Sequence, residues 1–251
     1  MACLITDWRF YAVAIPAVIL VGLAKGGFAG MGALSLPALA FVINPVQAAA
    51  ILLPLLIVQD VVGVWAFRRA VDWRLLGWML PGAAGGVVLG YGFAASVPPI
   101  AVMAAVGLIS MLFGGYRLWA AKHALPRETA RWPEWVGVLF GIASGFTGQI
   151  AHAGQPPFQL WVLPRRLSPQ LLVGTTALFF AAQNWLKVPA YLALGQFTPG
   201  NLLTAAVLVP VAILSTMGGV WLVRRVAPGR FYTAIYWLMI LVGVGLLIEA
   251  F

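Results

Sequence analysis

Apolar residues run through this chain in long blocks, and two of the blocks are interrupted by glycine-rich breaks. An uninterrupted block of about 20 apolar residues can cross a hydrocarbon core about 30 Å thick as a helix. The interrupted blocks lie near 10–43 and 133–164. Each is followed by three blocks that predict full membrane helices, near 46–67, 73–95 and 98–120 in the first half and near 169–194, 198–223 and 230–250 in the second.

The two breaks resemble each other in sequence. Residues 22–30 read Gly-Leu-Ala-Lys-Gly-Gly-Phe-Ala-Gly and lead to Pro37, while residues 141–148 read Gly-Ile-Ala-Ser-Gly-Phe-Thr-Gly and lead to Pro156. Irregular backbone at membrane depth must line a cavity or be buried by protein, because hydrocarbon offers its polar groups no hydrogen-bond partner. Paired breaks in corresponding positions of two halves are typical of transporters with internal repeats.

A shared register supports the duplication. In the first half, a Gln-Asp pair ending at Asp60 follows Pro45. In the second half, a Gln-Asn pair ending at Asn184 follows Pro169 at the same spacing. Asp60 and Asn184 are therefore predicted to be counterparts in two related halves.

The composition fits only an integral membrane protein. With 63% hydrophobic and 8% charged residues, the chain cannot cover a soluble globule with polar surface. We predict an all-α polytopic membrane protein of about eight to ten helical segments, in two inverted-topology repeats. The first repeat covers 1–120, a cytoplasmic link covers 121–132, and the second repeat covers 133–251. Each repeat has a broken or re-entrant segment and three transmembrane helices.

Both ends of the chain are predicted to lie outside the cell. The N-terminal residues carry no basic region and no convincing cleavage site, so this segment is expected to be retained. A single cysteine, Cys3, excludes an internal disulfide.

The net charge of +9 is a topology signal here, because the basic residues lie in short connections between spans. We expect no nucleic-acid partner. The connections at 95–99 and 195–200 contain no Lys or Arg and are expected outside. Four basic clusters are expected to face the cytoplasm: Arg68, Arg69 and Arg74; Arg117, Lys122, Arg127 and Arg131; Arg165 and Arg166; and Arg224, Arg225 and Arg230.

This charge pattern predicts that the two halves are inverted copies. The first broken segment begins and ends outside, and the second begins and ends on the cytoplasmic face, as a re-entrant hairpin or as two short spans. Inverted repeats suit alternating access, because exchanging the conformations of the halves changes the face to which a central site opens.

Lys25 is the leading candidate for contact with an anion. A buried ammonium costs several kcal/mol unless it meets an anion or a carboxylate. Gly26 and Gly30 permit close approach of the backbone, and a half-helix beginning near Gly32 would direct its N–H groups to the same point. In the alternative interpretation, Lys25 neutralises Asp60 or extends to an interface.

A polar strip is predicted on the helix near 169–194. Lys187 lies about one turn after Gln183 and Asn184, while Thr175 and Thr176 lie one to two turns closer to the cytoplasm. Hydroxyl, amide and ammonium groups on one strip suit an oxyanion such as sulfite. The alternative is hydrogen bonding between helices, with Lys187 near the outer interface.

The second break concentrates polar side chains. Ser144, Gln149 and His152 lie there together with Thr147 and Gln155, and a cavity lining accounts for so many hydrogen-bonding groups at membrane depth. A packing role for His152, held by hydrogen bonds, is the alternative to a role in proton transfer.

Asp60 is the only acidic residue predicted well inside a span. It is a candidate for proton coupling, because a substrate that competes for a nearby lysine would change its proton occupancy. A permanent ion pair is the alternative. No metal-binding cluster, G-x-S-x-G motif or phosphate-binding G-x-x-x-x-G-K-[ST] motif occurs, so we predict no enzyme activity, no catalytic residue, no metal and no cofactor.

The paired glycine-rich stretches that lead to proline resemble the TauE/SafE family of sulfite exporters, over nearly the whole chain. This resemblance implies a bacterial inner-membrane protein of two related halves that handles sulfite, sulfoacetate or another small organosulfur anion. The chain departs from the usual run of consecutive glycines at Lys25 in the first break, and at Gln149, His152 and Gln155 in the second.

The sequence therefore predicts a secondary transporter that exports a small sulfur-containing anion by alternating access, with optional proton coupling. Its expected partners are this anionic substrate and the lipid bilayer. An anion channel or an importer with the same site is one alternative, and an intramembrane enzyme is another.

Overall fold

A computed structural model describes residues 4–26, 31–122, 132–165, 167–222 and 229–251. These residues contain no β-strand and form ten α-helices, with two short 3₁₀ turns at Met31–Leu34 and Leu163–Arg165. The helices are α1 (Trp8–Lys25), α2 (Ser35–Ala40), α3 (Pro45–Phe67), α4 (Trp73–Ser96), α5 (Pro99–Lys122), α6 (Val136–Ala151), α7 (Gln155–Val162), α8 (Pro169–Ala193), α9 (Pro199–Leu222) and α10 (Gly229–Ala250).

The helices begin and end within a few residues of the predicted positions. Proline supplies the first residue of α3, α5, α8 and α9, where its missing N–H has no intrahelical partner in any case. Side-chain caps add to this signal, because Asn44 accepts a hydrogen bond from the N–H of Val46 and Asp72 accepts one from the N–H of Leu75.

Five described helices are long and apolar enough to cross a membrane: α1, α3, α4, α5 up to Ala120, and α9. The chain is thus a multi-pass membrane protein. Several tryptophans at the ends of these helices, including Trp8, Trp65 and Trp73, are about 70% exposed. This position suits the membrane–water interface, where an aromatic ring meets both lipid and headgroup.

Both broken segments are hairpins. After Lys25 the chain turns back along α1, so that the Ser35 hydroxyl donates a 2.9 Å hydrogen bond to the Ala17 carbonyl. In the second segment, the Ser144 hydroxyl of α6 donates a 2.7 Å hydrogen bond to the Gly154 carbonyl at the start of α7. Each segment therefore folds back on itself, as both predicted forms of a broken segment require.

The two halves have opposite directions in the bundle. Gly174, near the start of α8, packs against Ala70 just beyond the end of α3, while Asp60 and Asn184 meet in the middle of these two helices. The counterparts α3 and α8 are thus antiparallel. Helices α5 and α10 are antiparallel as well, since Gly107 and Gly243 lie against each other's carbonyl oxygens and Gly114 lies against Tyr236. The predicted inverted repeat is confirmed.

The repeats are interlocked, because each hairpin packs against a helix of the other half. Helix α1 packs on α9, and its counterpart α6 packs on α4. Glycines allow the backbones of these helices to touch, because any larger side chain would clash. A Cβ added to Gly86 of α4 would lie only 2.1 Å from the carbonyl oxygen of Ile142, and a Cβ added to Gly26, just after α1, would lie only 2.4 Å from the backbone of Gly219. Most of the link predicted at 121–132 lies outside the described residues, so the repeat boundaries stay a prediction.

Candidate functional site

The two hairpins face each other across a cavity of about 160 Å³. The hairpins, α3 and α8 all contribute to its wall. Such a volume has room for several water molecules or for one small anion. Seven of the residues predicted for the site line the cavity: Lys25, Gly32, His152, Thr176, Gln183, Asn184 and Lys187.

Polar side chains connect the two hairpins through the centre of the bundle. The Lys25 ammonium at the end of α1 forms an ion pair with Asp60 of α3. The second carboxylate oxygen of Asp60 accepts a 2.6 Å hydrogen bond from the Asn184 amide of α8. The Lys187 ammonium donates to the Asn184 carbonyl oxygen at 3.0 Å and lies 3.2 Å from Nδ1 of His152.

His152 is held by the backbone of α3. Its Nε2 lies 3.1 Å from the Ala49 carbonyl oxygen, which can only accept a hydrogen bond, so Nε2 carries the proton. Nδ1 is then free to accept a hydrogen bond from the Lys187 ammonium, and the imidazole is neutral. His152 ends α6 in a left-handed conformation with φ of 49°, the only positive φ of a non-glycine residue in the described parts of the chain. Such a conformation is maintained only where surrounding contacts require it.

The two lysines of the cavity differ in charge compensation. Lys25 is neutralised by Asp60, and its ammonium also lies 5.7 Å from the centre of the Phe180 ring. Lys187 is 2% exposed, and its hydrogen-bond partners in the described residues, Asn184 and His152, are both neutral. Among the described residues, no carboxylate contacts Lys187 directly, and Lys187 is linked to Asp60 only through the Asn184 side chain.

Helix α2 offers no separate anion site. The predicted half-helix near Gly32 consists of a 3₁₀ turn followed by α2, which is only six residues long. Its first residue, Ser35, directs its hydroxyl to the Ala17 carbonyl of α1. A helix this short has a small dipole, so side chains rather than helix ends supply the positive charge of this cavity.

Of the other six predicted site residues, five do not line the cavity and one lies outside the described residues. Gly26 packs against Gly219 of α9. The Thr175 hydroxyl accepts a hydrogen bond from the backbone N–H of Asp72, at the end of the bundle. Ser144 and Gln149 are buried in α6 and do not line the cavity, although Ser144 is hydrogen-bonded to the lining residues Gly154 and Gln183. Gly30 lies outside the described residues. Asp60 also does not line the cavity, although it orients Lys25 and Asn184, which do.

The structure adds polar residues of α7 to the wall. Gln155 and Gln159 both line the cavity, one helical turn apart on the same face of α7. Gln155 was visible in the sequence as part of the second break, but Gln159 lies beyond the prolines that appeared to end it. Once residues 155–162 are assigned to a helix, the four-residue spacing predicts that both glutamines lie on the same face.

The cavity extends from the centre of the bundle toward one end. Its deep part lies at Lys187 and Leu52, and its other part reaches Leu163 and Leu172, near the end of α7 and the start of α8. This is the end where α3 connects to α4 through residues 68–72, which include Arg68 and Arg69. We call it the arginine face.

The described residues contain no group of three or more His, Cys, Asp or Glu side chains arranged to hold a metal ion. The cavity wall instead presents two lysine side chains and several side-chain amides, which can donate hydrogen bonds to an oxyanion. The Thr176 hydroxyl already donates to the Leu172 carbonyl oxygen at 2.7 Å.

Comparison with known proteins identifies one family. The Sulfite exporter TauE/SafE family matches residues 14–246, which is nearly the whole chain. Searches of curated proteins and of solved structures gave no match. The family agrees with the multi-pass helical architecture. This chain belongs to the TauE/SafE family of sulfite exporters.

Proposed function

We propose that this protein is a secondary transporter that exports a small sulfur-containing anion, such as sulfite or an organosulfonate, by alternating access. The observation that carries the proposal is the buried Lys187 side chain in the wall of the central cavity, which no described carboxylate contacts directly. A buried charge without a counter-ion is costly, and a bound anion removes that cost. The family membership supports a sulfur anion as the substrate.

The hydrogen-bonding groups around Lys187 support an oxyanion over a halide. Asn184 and Gln183 of α8, and Thr176 farther along the same helix, line one wall of the cavity. An oxyanion can accept several hydrogen bonds at once from an ammonium and from side-chain amides, and the Thr176 hydroxyl would turn from the Leu172 carbonyl oxygen to donate another. These residues are proposed as substrate contacts, together with His152 and Lys25 on the opposite hairpins.

The inverted repeat supports alternating access. The counterparts Asp60 and Asn184 meet directly in the middle of the bundle, where the symmetry axis relating the halves would pass. The lining of the cavity runs from Lys187 and Leu52 to Leu163 and Leu172 near the arginine face. Exchange of the conformations of the two halves would give a cavity that extends toward the other face.

The proposed location is the bacterial inner membrane, with the arginine face in the cytoplasm and both termini outside. The basic connections support this orientation through the positive-inside rule. The cavity described above would then extend toward the cytoplasm, where an exporter takes up its substrate. The negative-inside membrane potential would favour the exit of an anion by about 2.3 kcal/mol per charge per 100 mV.

Thiol labelling tests this orientation. In a Cys3→Ser background, cysteines at Ser96 and Ala193 are expected to react with an impermeant thiol reagent from outside the cell, because these exposed positions lie opposite the arginine face. Cysteines at Arg69 and Ser168, which are equally exposed on the arginine face, are expected to react only after the membrane is opened. The reverse labelling pattern would invert the proposed orientation.

Counterflow in proteoliposomes tests the transport mechanism. Protein reconstituted in vesicles loaded with unlabelled sulfite is expected to accumulate labelled sulfite transiently, because a carrier exchanges its substrate across the membrane. A channel dissipates the gradient without such accumulation, so its absence would favour the channel. Competition by sulfate, thiosulfate, sulfoacetate and taurine would rank the substrates. If none of these anions binds, the proposed substrate class is wrong.

A further inference from the structure

A second buried cluster lies beside the cavity near the arginine face. Arg117 of α5 is half-buried, and its Nε and Nη2 both donate hydrogen bonds to the Tyr236 hydroxyl of α10, at 3.0 and 2.7 Å. Its Nη1 donates to the side-chain oxygen of Gln159 on α7. One guanidinium thus joins three helices, and one of its partners, Gln159, lines the cavity.

The positive charge of Arg117 is not balanced within the described residues. Both of its side-chain partners, Tyr236 and Gln159, are neutral, and no described carboxylate forms an ion pair with it. Within the described residues, the three hydrogen bonds use one N–H on each nitrogen, and the other two of the five guanidinium N–H groups have no partner there. An arginine needed only to join helices would be more stable beside a carboxylate.

Arg117 is connected to the central ammonium by a polar path. Gln159 contacts Arg117, and Gln155 lies one turn deeper on the same face of α7. Both glutamines line the cavity that also contains Lys187. Amide side chains can donate hydrogen bonds to an anion without adding a charge that would trap it.

We infer that Arg117 is the recruiting residue of this transporter, which receives the anion at the arginine-face end of the cavity and transfers it past Gln159 and Gln155 to Lys187. This inference rests on the proposed function. A charge at the mouth of a site raises the rate of capture from its own side, whereas the affinity of the deep site depends on the groups that contact the bound anion.

Transport kinetics measured separately from each face test the inference. Arg117→Gln is expected to raise the KM for sulfite presented at the arginine face by about tenfold, and to leave the KM from the opposite face unchanged. The control is Arg165→Gln on the same face, since the Arg165 guanidinium stacks on Trp161 at 3.5 Å and donates to its carbonyl oxygen. This control is expected to leave both KM values unchanged.

A second variant separates recruitment from packing. Gln159→Glu would give Arg117 an ion-pair partner at the same position, so the contact between α5 and α7 would be kept or strengthened. Because the guanidinium charge would then be neutralised, the KM at the arginine face is expected to rise as in Arg117→Gln. A carboxylate on the cavity wall also repels the anion directly, so Gln155→Glu, which adds one a turn deeper on the same wall, is the matched control. A recruiting Arg117 predicts a rise confined to the arginine face for Gln159→Glu, whereas direct repulsion alone predicts that both variants raise the KM from both faces.

The outcomes are distinguishable. If the unmodified protein does not transport sulfite or a competing sulfur anion, the proposed function fails. If it does, and both variants keep the unmodified KM at the arginine face, the recruiting role of Arg117 is wrong. Equal increases in KM from both faces would also overturn it, because they would indicate a general change in the transport cycle.

Discussion

Lys187→Gln is expected to weaken binding of the anion by at least about tenfold, or roughly 1.4 kcal/mol, while the protein stays folded. The ammonium of Lys187 lines the cavity, and no described carboxylate compensates its charge. A glutamine amide can still donate a hydrogen bond to Asn184 or to His152, so the substitution removes the charge with little loss of packing. Binding of sulfite to purified protein, measured by calorimetry, checks the prediction.

Two variants control for this result. Arg69→Gln removes a positive charge from an exposed position on the arginine face and is expected to leave binding unchanged. Lys187→Arg keeps the charge but replaces a compact ammonium with a longer planar group, so it is expected to restore binding only in part. Unchanged affinity in Lys187→Gln would reject this lysine as the principal contact.

Lys25→Gln is expected to reduce stability by about 3–5 kcal/mol, because it leaves the buried carboxylate of Asp60 without its cation. Asp60 is only 3% exposed, and Asn184 is its other hydrogen-bond partner. Asp60→Asn is expected to be destabilising in the same way, since it strands the Lys25 ammonium. Thermal unfolding in detergent, with and without sulfite, measures both losses.

The double variant Lys25→Gln, Asp60→Asn is the matched control. It removes both charges together, so most of the lost stability is expected to return. If each single variant is as stable as the unmodified protein, the ion pair has no structural role and Lys25 becomes available as an anion contact, as the sequence had suggested.

The same double variant tests proton coupling. If Asp60 exchanges a proton during transport, removal of its carboxyl group is expected to abolish dependence on a pH gradient while sulfite exchange continues. Retained dependence on the gradient in a folded double variant would assign any coupling to another group.

The two lysines illustrate where sequence reasoning reaches its limit. The sequence located both in the right segments, and it named neutralisation of Lys25 by Asp60 as one alternative. Lys25 and Asp60 are far apart along the chain, and their pairing depends on how α1 lies against α3. Whether a distant carboxylate neutralises a lysine cannot be determined before the helices are packed. The sequence therefore favoured Lys25 as the anion contact, whereas in the structure Lys25 pairs with Asp60 and no described carboxylate contacts Lys187 directly.

Neighbouring residues show the same limit more sharply. Thr175 and Thr176 are indistinguishable by type and nearly so by position, yet Thr176 lines the cavity and Thr175 accepts a hydrogen bond from the Asp72 backbone. Adjacent helical residues point about 100° apart, and only the rotation of α8 in the bundle decides which one faces the cavity. Gln159 escaped prediction for a related reason, because its exposure to the cavity depends on how α7 folds back.

The sequence by itself determined the membrane spans, the inverted repeat and the correspondence of Asp60 and Asn184 as counterparts in its two halves. These features follow from the length of apolar blocks, from proline and glycine stops, from loop charge and from a shared spacing, all of which are properties of the chain read in order. The tertiary structure decided three features. The breaks fold into hairpins, some of the predicted residues face the cavity, and Lys25 rather than Lys187 contacts the Asp60 carboxylate. These features depend on contacts between distant segments, whose geometry arises only when the helices pack together.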